Sequence, residues 1–447
     1  MVAWQQCNPW PVALGSDICY SSSIRKTFLR KSPPNRPPQV SLVASKFCGS
    51  QRRNARIRLG PNVTMAVNTL RWMLIPLLFL AFCTSLTAGG FELLSPLDHQ
   101  VIQRSNREFG SIPIAGRWLS SEERNWTIEA RIVSEGNESK WQKLVPVFDA
   151  STFRSEIDAP VGGWHRLEVR ALVAKEVIAE SVVEHVGIGE VFVVAGQSNS
   201  ANHGEAQQVT STKRVASFDG KRWQLANDPQ PGASGNGGSF IPTLGDEIVK
   251  RFDVPVGIVA CGIGATSVRE WLPAGCAFPN PPTIETRVVK VADGSWQSKG
   301  QAFANLIGRM KSLGKHGFRA VLWHQGESDA NQRDASRTLP GNLYREYLTI
   351  VIQTSRREIE WDAPWFVAQV SYHVPGDESS PEIRDAQAAL WKDGIALQGP
   401  DSDALKGDLR ERNGQGVHFS EKGLKEHGMK WAEKVSQWIE RKRIDPK

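Results

Sequence analysis

Residues Val191 to Glu205 read VFVVAGQSNSANHGE. The apolar run 191–195 has the length and β-branching of a strand buried on both faces, and the small polar residues after Gly196 are how such a strand opens into a turn and helix. Ser198 is thereby placed just past the carboxyl end of a central strand. At that edge of an open parallel sheet, turns present side chains and backbone N–H groups to a common crevice. Taken alone, the stretch is better read as a plain strand-to-helix turn with an N-cap serine. Two further stretches change the odds. Val321 to Asp329, VLWHQGESD, is a second buried strand ending in polar residues, and Gly416 to Gly423, GVHFSEKG, sets a histidine just before a helix.

Around these segments, from residue 188 onward, the pattern alternates strand and helix. Strands are expected at 191–195, 256–260, 320–323, 365–370 and 395–397, with helices at 240–252, 301–313, 343–357, 381–392 and 421–442. The expected fold is α/β, a three-layer α/β/α sheet over residues 188–447. Residues 91–187 hold short alternating runs, such as 111–118, 126–133 and 164–173, separated by Gly, Asn, Asp and Pro; this predicts a small antiparallel, all-β, Ig-like sandwich. The Gly- and Pro-rich segment 229–239 is a surface loop and a candidate rim of the crevice.

The formal charge of +7 over 447 residues points at first to a polyanionic partner. Its distribution excludes that. Eleven Lys and Arg against one acid, Asp17, fall in residues 1–88, which leaves the remainder at 7 minus 10, or −3. A basic excess confined to a removable prefix gives no ground for nucleic-acid binding. Residues 1–64 read as a disordered basic prefix or a mis-called start. From Met65, a charge at Arg71, an apolar run 72–82 and a small polar stretch to 88 have the three regions of a secretory signal peptide. The run is too short for a stable membrane anchor once cleaved, so the mature chain is expected in the periplasm or secreted. Beyond the signal only Cys261 and Cys276 remain, open either to one disulfide or to two buried thiols. No metal-ligand spacing appears, and neither a metal nor an organic cofactor is expected.

GQSN at Ser198, Gly264-Ala265-Thr266-Ser267 followed by Trp271, HQGES with Gln325 and Glu327, and a late His418 occur in that order. With them the chain from about Phe91 to its end resembles the SGNH (GDSL-like) hydrolases, and within these the sialate O-acetylesterase and acetylxylan esterase-like group, carbohydrate esterase family six. The resemblance implies a flavodoxin-like strand order and acyl transfer.

Acyl transfer needs a nucleophile, a base, an orienting group and oxyanion donors. Ser198 is the candidate nucleophile and His418 the base, since an imidazole can take and return a proton near neutral pH. The resemblance assigns the oxyanion hole to the backbone N–H of Ser198 and of Gly264 and to the side-chain amide of Gln325, which stands where many relatives carry Asn. Asn199, His324 and Arg384 are candidate substrate contacts, although Arg384 and Gln387, at i and i+3 on a helix, fit a surface pair better. Many relatives have Asp three residues before the catalytic His; here that position is Gln415. Glu327, at the end of another strand of the same sheet, is therefore the candidate carboxylate, ahead of Asp401, Asp403 and Asp408. The expected function is an exported serine esterase that removes O-acetyl groups from carbohydrate, either acetylated polysaccharide or sialic acid. The rivals are an SGNH lipase or lysophospholipase and a catalytically decayed glycan-binding protein.

Overall fold

The computed structural model describes residues 90–119, 126–134 and 136–442; the expected prefix and signal peptide lie outside them. The amino-terminal part is built from strands β1 (Phe91–Ser95), β2 (Gln100–Gln103), β3 (Phe109–Trp118), β4 (Thr127–Ser134), β5 (Thr152–Pro160) and β6 (Gly162–Val173). In β3 and β4 alternate residues are buried, the period-2 pattern of strands with one face on a core. Ile112, Ile114, Phe153 and Ile157 from β3 and β5 share that core with Ile128, Ala130, Leu167 and Val169 from β4 and β6.

The next strand, β7 (Glu176–Gly196), runs for 21 residues. Its first part pairs antiparallel with β6. Its last part runs parallel between β10 (Val256–Ala260) and β11 (Ala320–His324), so the expected boundary at residue 187 or 188 falls inside one continuous strand. Glu190, fully buried in β7, is held there by Arg104 at 2.8 Å and Arg319 at 2.6 Å, while Gln103 accepts from Val191 N at 2.9 Å. These bonds tie β2 to the start of the parallel sheet.

That sheet runs, edge to edge, β9 (Trp223–Leu225), β8 (Val215–Phe218), β10, β7, β11, β12 (Trp365–Gln369) and β13 (Leu397–Asp401). All neighbours are parallel except β8 and β9. The five expected strands lie in the order 2-1-3-4-5 by chain position, and β8 and β9 extend the edge beyond them. Helices cover both faces. Val191, Val193 and Ala195 pack with Leu306, Tyr344, Leu348 and Ile383, which come from helices α2 (Gln301–Ser312), α3 (Gly341–Glu358) and α4 (Pro381–Lys392). Phe192 and Val194 point the other way, onto Leu244, Ile248, Trp431 and Val435 from α1 (Ile241–Phe252) and α5 (Glu421–Arg441). Each such fully buried side chain contributes roughly 1.5–3 kcal/mol, so the central strand is held by packing on both faces. Cys261 is a free buried thiol, with a pKa pushed up by burial to about 12; a Cys261–Cys276 disulfide is therefore not formed. Among the described residues no helix is long and apolar enough to cross a membrane.

Candidate active site

The carboxyl ends of β7 and β11 are stitched together where the nucleophile candidate emerges. Gly196 pairs with His324, and Gln197 N donates to His324 O at 2.9 Å. Gly196 has φ +129°, and a Cβ there would fall 2.0 Å from the His324 carbonyl oxygen, so only glycine fits this turn. The chain then makes a single 3-10 turn, Ser198–Ser200, in place of the expected helix. Ser200 Oγ closes it onto Gln197 O at 2.7 Å, and the Gln197 side chain accepts from Ser328 N at 3.0 Å, joining the turn to the HQGES loop.

His418 reaches the same place from the other side. After β13 the chain makes the short helix Glu411–Gly414, in which Arg412 and Asn413 adopt left-handed backbone, and doubles back. Glu411 N donates to His418 O at 2.9 Å. Glu411 Oε1 lies 3.0 Å from His418 Nδ1. Gly416 makes room for this carboxylate, since a Cβ on it would lie 2.1 Å from Glu411 Cγ. Arg410, buried and lowered to about 10 by desolvation, braces the hairpin by donating to Leu405 O, Val417 O and Ser402 O at 2.6–2.8 Å. Its guanidinium sits 4.0 Å from the centre of the Tyr372 ring and 4.3 Å from that of Phe419. Ser198, His203, Ser234, Gly264, Glu327 and His418 all line one open cleft of about 870 Å³.

A serine and a carboxylate-backed histidine facing one cleft at the carboxyl edge of a parallel sheet is the arrangement an acyl-transfer enzyme requires. A family model described as carbohydrate esterase, sialic acid-specific acetylesterase, matches residues 188–437. The chain belongs to that family. Among solved structures it is similar to a carbohydrate acetylesterase from Xanthomonas citri, with 19% identity over 75% of this chain and 72% of that chain and a TM-score of 0.45. It is also similar to a protein from Arabidopsis thaliana, with 18% identity over 55% and 98% of the two chains and a TM-score of 0.39. A family two carbohydrate esterase from Clostridium thermocellum in complex with cellohexaose matches with 13% identity over 75% and 89%, at a TM-score of 0.31. No curated protein matches the chain.

Several side chains of this carbohydrate esterase stand elsewhere than its sequence suggests. Glu327 makes no hydrogen bond to His418 among the described residues. Its Oε1 accepts from Asn199 Nδ2 at 3.0 Å and lies 3.5 Å from His324 Nε2. Burial would raise its pKa, but His324 and Asn199 outweigh that and hold the carboxyl below its usual range. Asn199 also donates to Val417 O at 3.2 Å, so it fixes the histidine loop and does not line the cleft. His324 is fully buried and turned toward His427, with Nδ1 to Nε2 at 3.0 Å. His427 in turn accepts from Trp431 Nε1 at 3.0 Å.

Gln325 is likewise fully buried. Its amide donates to Asp329 at 2.7 Å and to Thr266 O at 3.1 Å, which leaves no N–H for an oxyanion. Asp329 also accepts from Ser267 Oγ at 2.5 Å and Val268 N at 2.8 Å; the GATS and HQGES motifs are thus knitted to each other. Arg384 is spent on Asp401 and Asp403 at 2.8 Å, and Gln387 is no surface residue but a buried amide that bonds both the N–H and the C=O of Val370. Of the three expected oxyanion donors, the Ser198 N–H has no partner among the described residues. Gly264 N–H donates to Ser234 Oγ at 2.6 Å. The sequence does not single out Glu411 or Ser234, whereas His203 is legible in it as a polar side chain near the crevice, and it lines the cleft. The one trace of Glu411 is the run Asn413-Gly414-Gln415-Gly416, a turn signal that lets the chain fold back over seven residues.

Proposed function

We propose that this chain is a serine esterase removing O-acetyl groups from carbohydrate through an acyl-enzyme, with Ser198 as nucleophile, His418 as general base and Glu411 as the carboxylate orienting that base. The observation that carries the reading is Glu411 Oε1 at 3.0 Å from His418 Nδ1 beside the cleft that Ser198 and His418 share. With the Nδ1 proton donated to Glu411, the Nε2 lone pair is left to take the Ser198 proton. The Ser198 oxygen then attacks the acetyl carbon, and the Ser198 N–H donates to the oxygen that becomes negative. Glu411 stabilises the imidazolium, which returns the proton to the departing sugar hydroxyl; water then repeats the cycle on the acyl-enzyme.

We read the cleft as a sugar-ester site: Arg287, Asn331, Gln332, Arg333, His373 and Asp377 line its walls together with Ile263, Ala265, Val374 and Val417, and the polar members can bond hydroxyls. Past Ser234, Ile263 and Arg287 the cleft continues into a second hollow of about 730 Å³, which has room for a further sugar. Residues 188–447 are read as an SGNH hydrolase domain of three-layer build, residues 91–187 as a sandwich module, and residues 65–88 as the signal that sends the chain to the periplasm or outside the cell. The test is acetate release from acetylated xylan, O-acetylated sialic acid and a longer acyl ester. Ser198→Ala should keep its fold and lose at least about a thousandfold in turnover. Undiminished turnover by that variant, or preference for the long acyl ester, overturns the reading.

A further inference from the structure

Ser234 sits in the loop 229–239 with its backbone fixed. Its N–H donates to Gly262 O, and its carbonyl accepts from Asn202 N, both at 2.9 Å. Its hydroxyl oxygen accepts from Gly264 N–H at 2.6 Å and lies 3.0 Å from His203 Nε2. The packing is close, since a Cβ on Gly264 would lie 2.7 Å from His203 Nε2. The Gly264 N–H is therefore not open to a substrate carbonyl. It is capped by a hydroxyl that lines the same cleft as Ser198 and His418.

The tautomer of His203 decides what this hydroxyl offers. Burial, and the neighbouring His418, lower the His203 pKa, so the ring carries one proton at neutral pH; it stacks on His418 with centroids 5.5 Å apart. With that proton on Nε2, the Ser234 oxygen accepts two N–H bonds, and its own proton is the one left to donate. With it on Nδ1, the hydroxyl donates back to Nε2 and offers the cleft nothing. A negative oxygen in the cleft selects the first state, and two donors behind the hydroxyl polarise its O–H bond further.

We propose that Ser234 is a catalytic residue: its Oγ–H donates to the oxyanion formed when Ser198 attacks the acetyl group, backed by the Gly264 N–H and His203 Nε2. No covalent bond to Ser234 forms or breaks. This rests on Ser198 being the nucleophile. The experiment measures kcat and KM on a chromogenic aryl acetate for the parent, Ser234→Ala, Ser234→Cys and Ser198→Ala, with folding checked by thermal melting. Ser234→Ala should lose about a hundredfold in kcat with KM within about twofold. Parent-like or higher kcat would mean that the uncovered Gly264 N–H serves the oxyanion directly and that Ser234 only plugs it, and a loss confined to KM would place Ser234 in ground-state binding; either result overturns the proposal. Should Ser234→Ala fail to fold, Ser234→Cys decides: it keeps a side chain in place but is a weak donor, so it should lose kcat and keep KM, and parent kcat overturns the proposal. An active Ser198→Ala removes the serine-esterase reading itself, whereas an inactive Ser198→Ala beside a parent-like Ser234→Ala removes this inference alone.

Discussion

Glu411 Oε1 stands 3.0 Å from Nδ1 of His418 and also 3.3 Å from the backbone N–H of the same residue, so one carboxylate fixes both the ring and the main chain that carries it. An acid three residues before the histidine would reach the ring across a short turn. Here that position is Gln415, and the chain obtains the same contact from seven residues away by folding back through Arg412 and Asn413 in left-handed conformation.

The first prediction follows from that contact. Glu411→Gln keeps the size of the side chain but replaces the charge that stabilises imidazolium, and it lets an amide N–H face Nδ1, which favours the wrong tautomer. Turnover of an aryl acetate should fall by at least about a hundredfold with KM little changed. A variant within a few-fold of the parent in kcat would remove Glu411 from the mechanism.

Glu327→Gln separates the two glutamates. Glu327 is buried against Asn199 and His324, and Gln can still accept from Asn199 while losing the charge that faces His324. Stability to urea should drop by roughly 1–3 kcal/mol, and kcat by less than about tenfold, because Asn199 still holds Val417 O beside His418. If Glu327→Gln instead matches Glu411→Gln in lost turnover at parent stability, the catalytic carboxylate is Glu327.

How much of this was legible in the sequence depends on whether local pattern or chain return decides the feature. The strand 256–260 and the helix 381–392 coincide with the elements formed, because a β-branched run and a Pro-started amphipathic stretch each carry their own signal. Ser198 reaches the cleft because strand-end placement is also a local property, and His418 because the helix start behind it, capped by Ser420, is another. The errors lie where a side chain chooses among neighbours that sequence does not rank. Gln325 was open to an oxyanion role until Asp329, four residues on, claimed its amide. Arg384 looked exposed on its helix, but β13 brings Asp401 and Asp403 beneath it. The length of β7 was hidden for another reason. Glu180, Glu184 and His185 break the apolar run on its exposed part, so the pattern changes from one-sided to two-sided burial along one unbroken strand.

A last prediction concerns acid stability, and His427 is the residue to follow. It lies fully buried on α5, facing the carboxyl end of β11. Its Nε2 accepts from Trp431 Nε1 and faces His324 Nδ1, each at 3.0 Å, while Phe240 and Phe419 lie against its ring. Burial, then the charges of His324, Arg410 and Lys430, hold its pKa well below the usual histidine value. The sign follows directly. The unfolded chain protonates this imidazole near pH 6.5 and the folded chain does so only at lower pH, so the unfolded state binds more protons in between. The stability contribution is complete above about pH 6.5 and is lost as pH falls, by up to about 1.4 kcal/mol per pH unit for this one group. His165, lowered chiefly by burial, and His203 act in the same direction. Glu327, whose pKa is lowered, adds its loss only below about pH 4.5, whereas Glu270, raised by burial to about 7, gains a proton in the folded chain as pH falls from 7 toward 4.5 and so offsets one of the three histidines. Urea unfolding at pH 8, 7, 6 and 5 should show a flat upper limb and a fall below 6.5. His427→Gln, which retains an acceptor for Trp431 without titrating, should make that fall shallower by close to one proton. An unchanged slope in the variant would mean that His427 is as easily protonated in the folded chain as in the unfolded one.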